Sequence, residues 1–248
     1  YIVKHRADGS VERYKARLVT KGFTQTYGVD YQETFAPVVK MNSVRVLLSL
    51  AANLDWPLHQ FDVKNAFLHG DLEEEMYMDI LSGFEDSKTE GKVCRLRKSL
   101  YGLKQPPRAS FERFTQAMLR YGFKQSQADH TLFFKHSSGG KTTALIVYVD
   151  DIVLTGDDLE EMTKLKGYLA KEFEIKDLGA LKYFLGIEVA RSKHEIFISQ
   201  RKYVLDLLKE TGMLGSRACD TPIEPNQKLS DDISGAMVDK RRYQRLVG

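Results

Sequence analysis

The sequence of 248 residues is 42% hydrophobic and 29% charged, a composition that can bury a core and that excludes a disordered or coiled-coil chain. Lys and Arg number 37 against 34 for Asp and Glu, and the net charge of +3 does not by itself indicate nucleic-acid binding. The 2 cysteines, Cys94 and Cys219, exclude a disulfide framework and a four-cysteine zinc site, and they fit a reducing compartment.

The start of the chain and its apolar stretches bear on its location. The sequence opens with no signal peptide, and its apolar stretches are far shorter than the ~20 residues that a membrane span needs. We therefore expect an intracellular, cytoplasmic protein without membrane contacts. Since the sequence begins with Tyr1 rather than Met, we also expect it to be a segment of a longer chain.

Hydrophobic periodicity predicts a mixture of helices and strands. The first predicted strand covers residues 14–19, and a predicted helix through Leu54 follows a cap at Asn42 or Ser43. Further predicted elements, in chain order, are strands at 58–61 and 93–100, a helix after Pro106-Pro107, strands at 131–135 and 143–149, a helix capped by Asp157 or Asp158, strands at 182–189 and 196–199, and a helix at 203–211. Because these elements follow no regular βαβ order, we predict an α+β fold with helices packed on one face of the sheet.

Positive charge is concentrated in two segments. Residues 1–21 carry a net charge of +4 and residues 92–124 a net charge of +8, which leaves −9 for the rest of the chain. Such segments suit a nucleic-acid backbone, because lysines and arginines displace the counterions of the phosphates. An ordinary solvated surface is the alternative interpretation.

Two adjacent carboxylates, Asp150 and Asp151, stand between two apolar, β-rich runs. This pattern predicts a tight hairpin with both aspartates at its turn. Carboxylates beside apolar strands repel each other and lose hydration, so either solvent at the turn or a bound cation must compensate. These residues alone leave open whether the feature is a magnesium site or an ordinary hairpin tip.

A third carboxylate, Asp62, also follows an apolar strand, where it fits a strand end or a helix cap as well as a metal site. If the three acids lie on neighbouring strands, two metal ions between them would suit in-line phosphoryl transfer. One ion would activate the attacking hydroxyl and the other would stabilise the leaving group. Clustered acids would also suit a metal-dependent nuclease.

Longer motifs make the pattern specific. Tyr148-Val149-Asp150-Asp151 resembles the Tyr-x-Asp-Asp box of reverse transcriptases, and the segment 58–70 resembles the first catalytic motif of copia-type retrotransposon polymerases. Segments 14–22, 30–37, 99–105 and 176–188 resemble the same family in the same order. The chain is thus similar, over nearly its whole length, to the reverse transcriptase domain of a copia-type long-terminal-repeat retrotransposon Pol polyprotein.

The resemblance implies a right-hand polymerase with fingers, palm and thumb and an antiparallel palm sheet. The fingers would occupy about residues 1–55 and 75–107, the palm about 56–74 and 108–190, and the thumb with the start of the connection about 191–248. The family's ribonuclease H, integrase and protease would lie outside this segment. These other Pol domains would be partners in the full polyprotein, within a virus-like particle.

The resemblance also implies an RNA-directed DNA polymerase. It would extend a DNA or tRNA-type primer with deoxynucleoside triphosphates (dNTPs) on an RNA or DNA template, and it would bind an RNA/DNA hybrid. Asp62, Asp150 and Asp151 would be catalytic and would hold two Mg²⁺ ions, or Mn²⁺ in their place, with the Val63 carbonyl as a further ligand. Lys176 would be the general acid for pyrophosphate. The other implied substrate contacts are Phe67 as a steric gate against a ribose 2′-hydroxyl, Lys15 and Arg17 for the triphosphate, Tyr101, Gly102, Lys104 and Gln105 for the nascent base pair and template, and Tyr148 for the primer end.

The sequence departs from the family pattern at Leu81, Ser82, Pro106 and Ser110, where that pattern has Pro, Pro, Ser and Trp. Pro106 removes a backbone N–H, and the missing ring at Ser110 would leave a cavity if the site is buried. These departures favour a second hypothesis, a folded but inactive retrotransposon relic that at most binds nucleic acid. The retained carboxylates favour an active polymerase.

Overall fold

The computed structural model describes residues 2–6, 8–87, 89–192, 195–218, 239–240 and 243–244. The side chains of Ile2 and Lys15 lie outside that description, as does almost all of the predicted connection beyond residue 218. Contacts divide the chain into two compact units, Tyr1–Leu181 and Lys182–Gly248.

The described part of the first unit contains ten strands and three helices. The strands are β1 (Ile2–His5), β2 (Val11–Lys15), β3 (Leu58–Val63), β4 (Asp71–Asp79), β5 (Val93–Lys98), β6 (Lys124–Gln125), β7 (Leu132–His136), β8 (Thr142–Tyr148), β9 (Asp151–Gly156) and β10 (Ile175–Ala180). The helices are α1 (Met41–Asn53), α2 (Pro106–Tyr121) and α3 (Leu159–Glu172), and short 3₁₀ turns cover Gly22–Thr24 and Ala66–His69.

Six of these strands form one antiparallel sheet in the order β10-β3-β9-β8-β7-β6. The pairs β1-β2 and β4-β5 form two further antiparallel sheets. The predicted α+β class with an antiparallel sheet packed on helices is confirmed, but the prediction that the helices lie on one face is wrong, because α1 contacts the face opposite to α2 and α3.

One face of the six-stranded sheet packs on α2 and α3 and forms the core of the unit. Phe61 and Val63 on β3 point into this core. Because side chains alternate along a strand, Gln60 and Asp62 project from the opposite face. The helices contribute Phe114, Ala117 and Met118 from α2 and Met162, Leu165 and Leu169 from α3.

Helix α1 covers part of the opposite face. Ile146 and Val153 alternate away from the core, yet they are only 1% and 3% exposed, and α1 contacts the strand that carries Val153. The end of this face that carries Asp62 and Asp151 is less covered, since both aspartates are half-buried. The fold therefore leaves an accessible acidic edge beside the part of the sheet that α1 covers.

The beginning of α1 is held by a residue distant in sequence. Asp129 is 2% exposed, and its carboxylate accepts a hydrogen bond from the Lys40 N–H at 2.9 Å and from the Thr131 N–H at 3.0 Å. The predicted cap at Asn42 or Ser43 is wrong, because both residues lie inside the first helical turn. The cap prediction for α3 is confirmed at Asp158, whose carboxylate accepts from the Glu161 N–H.

The predicted turn at Asp150 and Asp151 is displaced by one residue. Strand β8 ends at Tyr148, the turn consists of Val149 and Asp150, and Asp151 is the first residue of β9. The first predicted strand is displaced as well, since β2 ends at Lys15 and Arg17 follows it.

Four strands of the first unit, the short β1 and β6 and the longer β4 and β10, escape prediction from hydrophobic periodicity. Strand β4 contains the acidic run 73–75 and is mostly exposed, so it lacks a long apolar face. Strand β10 contains the turn-forming residues Asp177 and Gly179, and its pairing with β3 includes an irregularity between those two residues. Tertiary pairing rather than local pattern stabilises β10.

The described part of the second unit contains β11 (Tyr183–Phe184), β12 (Ile187–Arg191) and β13 (Ile196–Ser199), which form an antiparallel sheet, and helix α4 (Arg201–Thr211). The predicted strand at 182–189 is interrupted at Leu185 and Gly186, whose φ angles are +51° and +80°. Within the described residues, the helices are all too short or too polar to cross a membrane.

Candidate active site

Four predicted site residues stand in one row across four neighbouring strands. Tyr148 on β8 pairs with Asp151 on β9, Asp151 pairs with Asp62 on β3, and Asp62 pairs with Lys176 on β10. Residues directly opposite each other on antiparallel strands have Cβ atoms about 4.5–5.5 Å apart and project from the same face of the sheet. The fold thus brings together side chains from three distant parts of the sequence at the accessible acidic edge.

The third predicted carboxylate, Asp150, lies in the exposed turn between β8 and β9. Its backbone carbonyl accepts a hydrogen bond from the Val63 N–H at 2.7 Å, which fixes the turn against the end of β3. The other turn residue, Val149, has a φ angle of +55°, which a β-branched residue rarely adopts. A positive φ at the first turn residue alone is typical of a type II′ hairpin, which usually has glycine there. Holding Val149 in this conformation costs about 1–3 kcal/mol.

The carboxylates of the row influence one another. Burial raises the pKa of Asp151, and the nearby negative charges of Asp150 and Asp62 raise it further. A hydrogen bond from Gln60 Nε2 to Asp151 Oδ1, 3.2 Å long, acts in the opposite direction and lowers this pKa. The site is therefore a place where added positive charge would relieve repulsion.

The donor atoms of this site suit a hard dication, because Mg²⁺ prefers oxygen ligands. However, the described residues contain no group of three or more His, Cys, Asp or Glu side chains that could hold a metal ion without other ligands. Mg²⁺ is usually bound by one or two protein carboxylates together with water and substrate phosphates rather than by a complete protein cage. The facing pair Asp62 and Asp151, with Asp150 beside it, fits that open arrangement, and metal coordination by these residues stays a prediction.

Three of the predicted substrate contacts, Phe67, Tyr101 and Arg17, pack against one another around the Tyr101 ring. The ring of Phe67, in the 3₁₀ turn after β3, lies 5.1 Å from the ring of Tyr101 at an interplanar angle of 62°. The guanidinium carbon of Arg17 lies 5.1 Å from the centre of the Tyr101 ring. Phe67 also lines a small cavity together with Val149 of the hairpin turn. The predicted gate therefore lies between the carboxylate hairpin and the basic segment 1–21.

The side chain of Gln105 is turned inward and is only 3% exposed. Its Nε2 donates to the Asp30 carbonyl at 2.8 Å, and its Oε1 accepts from Gln25 Nε2 at 2.9 Å. Lys104 Nζ donates to the Gln25 carbonyl at 3.0 Å and to the Tyr31 hydroxyl at 3.2 Å. These hydrogen bonds tie residues 25–31 to residues 104–105, and the structure does not bring Lys104 and Gln105 to the row.

Gly102 permits a close approach of two backbone segments. Its φ angle is +95°, and a Cβ atom at this position would lie 2.2 Å from the Thr20 carbonyl oxygen. Any other residue would therefore push the segment 99–103 away from the segment 17–22. The side chain of Lys15, the remaining predicted contact, lies outside the described residues.

The two basic segments differ in how much of their charge is neutralised. In the segment 92–124, five of the nine basic side chains form ion pairs, whereas the described lysine and arginine side chains of residues 2–21 form none. The pairs are Arg95 with Glu75, Lys98 with Asp71, Arg108 with Glu112 and Glu33, and Arg113 and Arg120 with Glu172. The N-terminal segment therefore keeps a larger share of its positive charge unneutralised than the segment 92–124 does.

Two of the departures from the family pattern have a structural account. Pro106 is the first residue of α2, where the missing N–H would have no helical partner in any case. Ser110 donates from its hydroxyl to the Ala66 carbonyl at 2.8 Å and lines the small cavity beside Phe67. The prediction of a cavity at Ser110 therefore agrees with the structure, and nothing in the structure explains Leu81 or Ser82.

Sequence reasoning missed two buried glutamines at this site. Gln60, 7% exposed, lies two residues before Asp62 on the same strand face, and strand alternation could have indicated its approach to the carboxylates. Gln25, 8% exposed, lies in an irregular segment, and no pattern in the sequence indicates that it would meet Gln105.

Known proteins provide an independent comparison. A family model described as "Reverse transcriptase (RNA-dependent DNA polymerase)" matches residues 1–225. The chain is 43% identical over 245 residues to the retrovirus-related Pol polyproteins from transposons RE1 and RE2 of Arabidopsis thaliana, with 99% of this chain and 17% of each polyprotein covered. It is 42% identical over 245 residues to the retrovirus-related Pol polyprotein from transposon TNT 1-94 of Nicotiana tabacum, with 97% of this chain and 18% of that polyprotein covered. The chain thus spans less than a fifth of the length of these relatives.

Proposed function

The chain belongs to the reverse transcriptase (RNA-dependent DNA polymerase) family, and from this premise we propose that it extends a DNA or tRNA-type primer with dNTPs on an RNA or DNA template. The relatives named above are retrovirus-related Pol polyproteins from transposons, which supports a role as the reverse transcriptase domain of a copia-type Pol polyprotein, beside its other domains. The observation that carries the proposal is the row of Tyr148, Asp151, Asp62 and Lys176 on one sheet face.

The proposed architecture is that of a right hand. Residues from about 56–74 and 108–190 form the palm, which includes the six-stranded sheet, and residues from about 1–55 and 75–107 form the fingers. Residues from about 191 onward form the thumb and the start of the connection. Template, primer and RNA/DNA hybrid lie along the accessible face of the palm sheet, beside the unneutralised basic segment.

Asp62, Asp150 and Asp151, with the Val63 carbonyl, are the proposed ligands for two Mg²⁺ ions, for which Mn²⁺ is a substitute. When bound, the ions would activate the primer hydroxyl and stabilise the leaving pyrophosphate. The pKa of Asp151, which is raised by burial and then by the charges of Asp150 and Asp62, supports this assignment, because a nearby dication would stabilise the ionised carboxylates.

The other residues of the site position the reactants and move one proton. Lys176 is exposed next to Asp62 and forms no ion pair in the described residues, so its ammonium group is available to protonate the leaving pyrophosphate. Tyr148 braces the primer end, and the Phe67 ring excludes a ribose 2′-hydroxyl. Lys15 and Arg17 bind the triphosphate by charge.

The segment 101–105 is proposed to lie against the nascent base pair and the template. Gly102 and Tyr101 act there through the backbone and the ring. Lys104 and Gln105 are internally hydrogen bonded, so their contribution is to hold the fingers segments in place unless substrate binding releases them.

Primer extension tests the proposal. Purified protein should extend a DNA primer on an RNA template in the presence of Mg²⁺, and Asp150→Asn should abolish extension. Asp79→Asn, an equivalent substitution at an exposed residue of β4, should extend like the wild type. If the wild type extends no better than Asp150→Asn, the polymerase proposal fails for this chain.

The second candidate function is that of an inactive relic that only binds nucleic acid, and it is favoured by Ser110 at the wall of a cavity beside Phe67. Binding and extension assays on the same purified protein distinguish the two candidate functions. Salt-sensitive binding of an RNA/DNA hybrid without any extension supports the relic, whereas extension excludes it.

A further inference from the structure

The Phe67 side chain packs on the aromatic ring of Tyr101. Its backbone is fixed because the buried Ser99 hydroxyl donates to the Phe67 carbonyl and the Ser99 N–H donates to the Gly70 carbonyl at 3.0 Å. Its ring packs edge-to-face on Tyr101, with the ring centres 5.1 Å apart. Among the described residues, no other aromatic ring contacts that of Phe67.

The other side of Phe67 offers space. Phe67 lines the small cavity whose walls also include Val149, Ser110 and Ala66. The Phe67 ring atoms that face this void have no packing partners there, so packing on that side opposes a shift of the ring only weakly. The aromatic contact with Tyr101 is the packing interaction that favours the observed position of the Phe67 ring.

Tyr101 itself is held from a second direction. The Thr20 N–H donates to the Tyr101 carbonyl at 2.8 Å, and the Thr20 hydroxyl donates to the same oxygen at 3.1 Å. The Arg17 guanidinium lies over the Tyr101 ring at 5.1 Å, within the range of a cation–π interaction. Tyr101 therefore joins the basic segment, which carries Arg17, to the turn that carries Phe67.

We infer that Tyr101 is a positioning residue for sugar selection, which holds the Phe67 ring in place and couples it to Arg17. The inference rests on the proposed polymerase function and goes beyond it. Tyr101 acts through Phe67 rather than by touching the nucleotide sugar. Loss of the Tyr101 ring lets Phe67 move away, and a ribonucleotide is then accepted more readily.

Equilibrium binding of dCTP and CTP tests this inference, since these two nucleotides differ only in the 2′-hydroxyl. The complex contains a dideoxy-terminated primer on a template with guanine at the next position, so that no reaction occurs. The ratio of the two affinities is measured for the wild type, Tyr101→Leu, Tyr101→Phe, Phe67→Ala and the double variant Phe67→Ala/Tyr101→Leu. Tyr101→Phe is the matched control, because the Tyr101 hydroxyl forms no hydrogen bond in the described residues and both ring contacts persist.

We expect Tyr101→Leu to reduce the preference for dCTP by about three- to tenfold, the equivalent of one aromatic contact. Tyr101→Phe should keep the wild-type ratio within twofold. The double variant should show the ratio of Phe67→Ala alone, because Tyr101 has no gate left to position. Thermal unfolding confirms that each variant is folded, and Tyr101→Met replaces Tyr101→Leu if the latter is not.

The inference is overturned if Tyr101→Leu keeps the ratio of the two affinities within twofold of the wild type. It is also overturned if the effects of Phe67→Ala and Tyr101→Leu on this ratio multiply in the double variant. If the wild type discriminates and Tyr101→Leu discriminates equally, only the inference fails. If the wild-type complex binds neither nucleotide, the proposed function fails and the inference fails with it.

Discussion

At the scale of single residues, the site combines charge repulsion and backbone strain. Asp151 is half-buried and close to two other carboxylates, and Val149 occupies a conformation that usually requires glycine. Both features lower the stability of the isolated protein. Such features are typical of functional sites, where the chain retains unfavourable local interactions because they serve binding or reaction.

Replacing Asp151 by Asn should stabilise the protein at neutral pH. The folded-state pKa of Asp151 is raised, chiefly by burial, so the cost of its charge is absent at low pH and sets in as the pH rises above the unfolded-state value of about 3.9. The Tm of Asp151→Asn should therefore exceed that of the wild type by a few degrees at pH 7. The difference should shrink below about pH 4, and calorimetry across pH measures it. Equal Tm values at pH 7 would contradict this view of the site.

Added Mg²⁺ provides a second measurement on the same pair. The wild-type Tm should rise with Mg²⁺, because a ligand that binds only the folded state stabilises it. The Tm of Asp151→Asn should rise less. An identical rise in both proteins would place the bound ion elsewhere.

Replacing Val149 by Gly should relieve the strain of the hairpin turn. The gain of about 1–3 kcal/mol from the positive φ exceeds the loss of about 0.5–1 kcal/mol from the added freedom of glycine in the unfolded chain. Urea unfolding should therefore show an unchanged or higher free energy of unfolding. Val38→Gly, at an exposed position without a positive φ, should instead destabilise the protein. A decrease of more than about 1 kcal/mol in Val149→Gly would show that the valine side chain matters more than the strain.

At the scale of secondary-structure elements, the sequence predicted most helices and strands but not the register that builds the site. The alternating apolar residues of β8 and β9 indicated a hairpin, yet its turn lies one residue earlier than predicted. That single residue decides whether Asp151 faces Asp62, because neighbouring strand residues project to opposite faces. Strand β10 was missed, and Lys176 enters the row only through its pairing with β3.

Asp129 caps the start of helix α1 although it is distant from that helix in sequence, and its replacement tests this interaction. Burial alone would raise the pKa of Asp129, but hydrogen bonds from Ser43, Thr131 and the Lys40 N–H outweigh burial and lower it. Asp129→Asn replaces one of two acceptor oxygens that serve the N-terminus of α1 and the buried Thr131, so we expect the free energy of unfolding to fall by about 1–3 kcal/mol at pH 7. Denaturant unfolding measures this decrease, and Asp79→Asn is the exposed control.

The pH dependence follows from the lowered pKa. The stabilisation by ionised Asp129 is fully present above the unfolded-state value of about 3.9 and is lost as the pH falls through the lower folded-state value. The wild type and Asp129→Asn should therefore converge in stability in strong acid. A difference that does not depend on pH would mean that the carboxylate charge has no part in the cap.

At the scale of the whole molecule, the net charge of +3 conceals an uneven distribution. The sequence indicated two basic segments of equal interest, whereas the structure neutralises most of the second through ion pairs with distant acids such as Glu172. Those partners could not be predicted without the fold, because they are distant in sequence, as Arg113 and Glu172 are at a separation of 59 residues. The first segment keeps its charge exposed and is the better candidate for binding phosphates.

Salt dependence of hybrid binding distinguishes the two segments. Arg13→Gln/Lys21→Gln removes two charges from the first segment, and Arg95→Gln/Lys98→Gln removes two from the second as a matched control. The double substitution in the first segment should reduce the slope of log affinity against log salt concentration by about 1 for each phosphate that the protein no longer neutralises. The double substitution in the second segment should change the slope little, since Arg95 and Lys98 already form ion pairs with acidic side chains. A larger change for the second pair would contradict the assignment.

Nucleotidyl transfer at the carboxylate row is the central claim about this protein. A single-turnover measurement with saturating dNTP, Mg²⁺ and a DNA primer on an RNA template tests this claim directly, with Asp62→Asn compared with the wild type and with Asp79→Asn. We predict that Asp62→Asn incorporates the first nucleotide at least about a hundredfold more slowly than either of the other two proteins. A rate for Asp62→Asn within tenfold of an active wild type would contradict the claim.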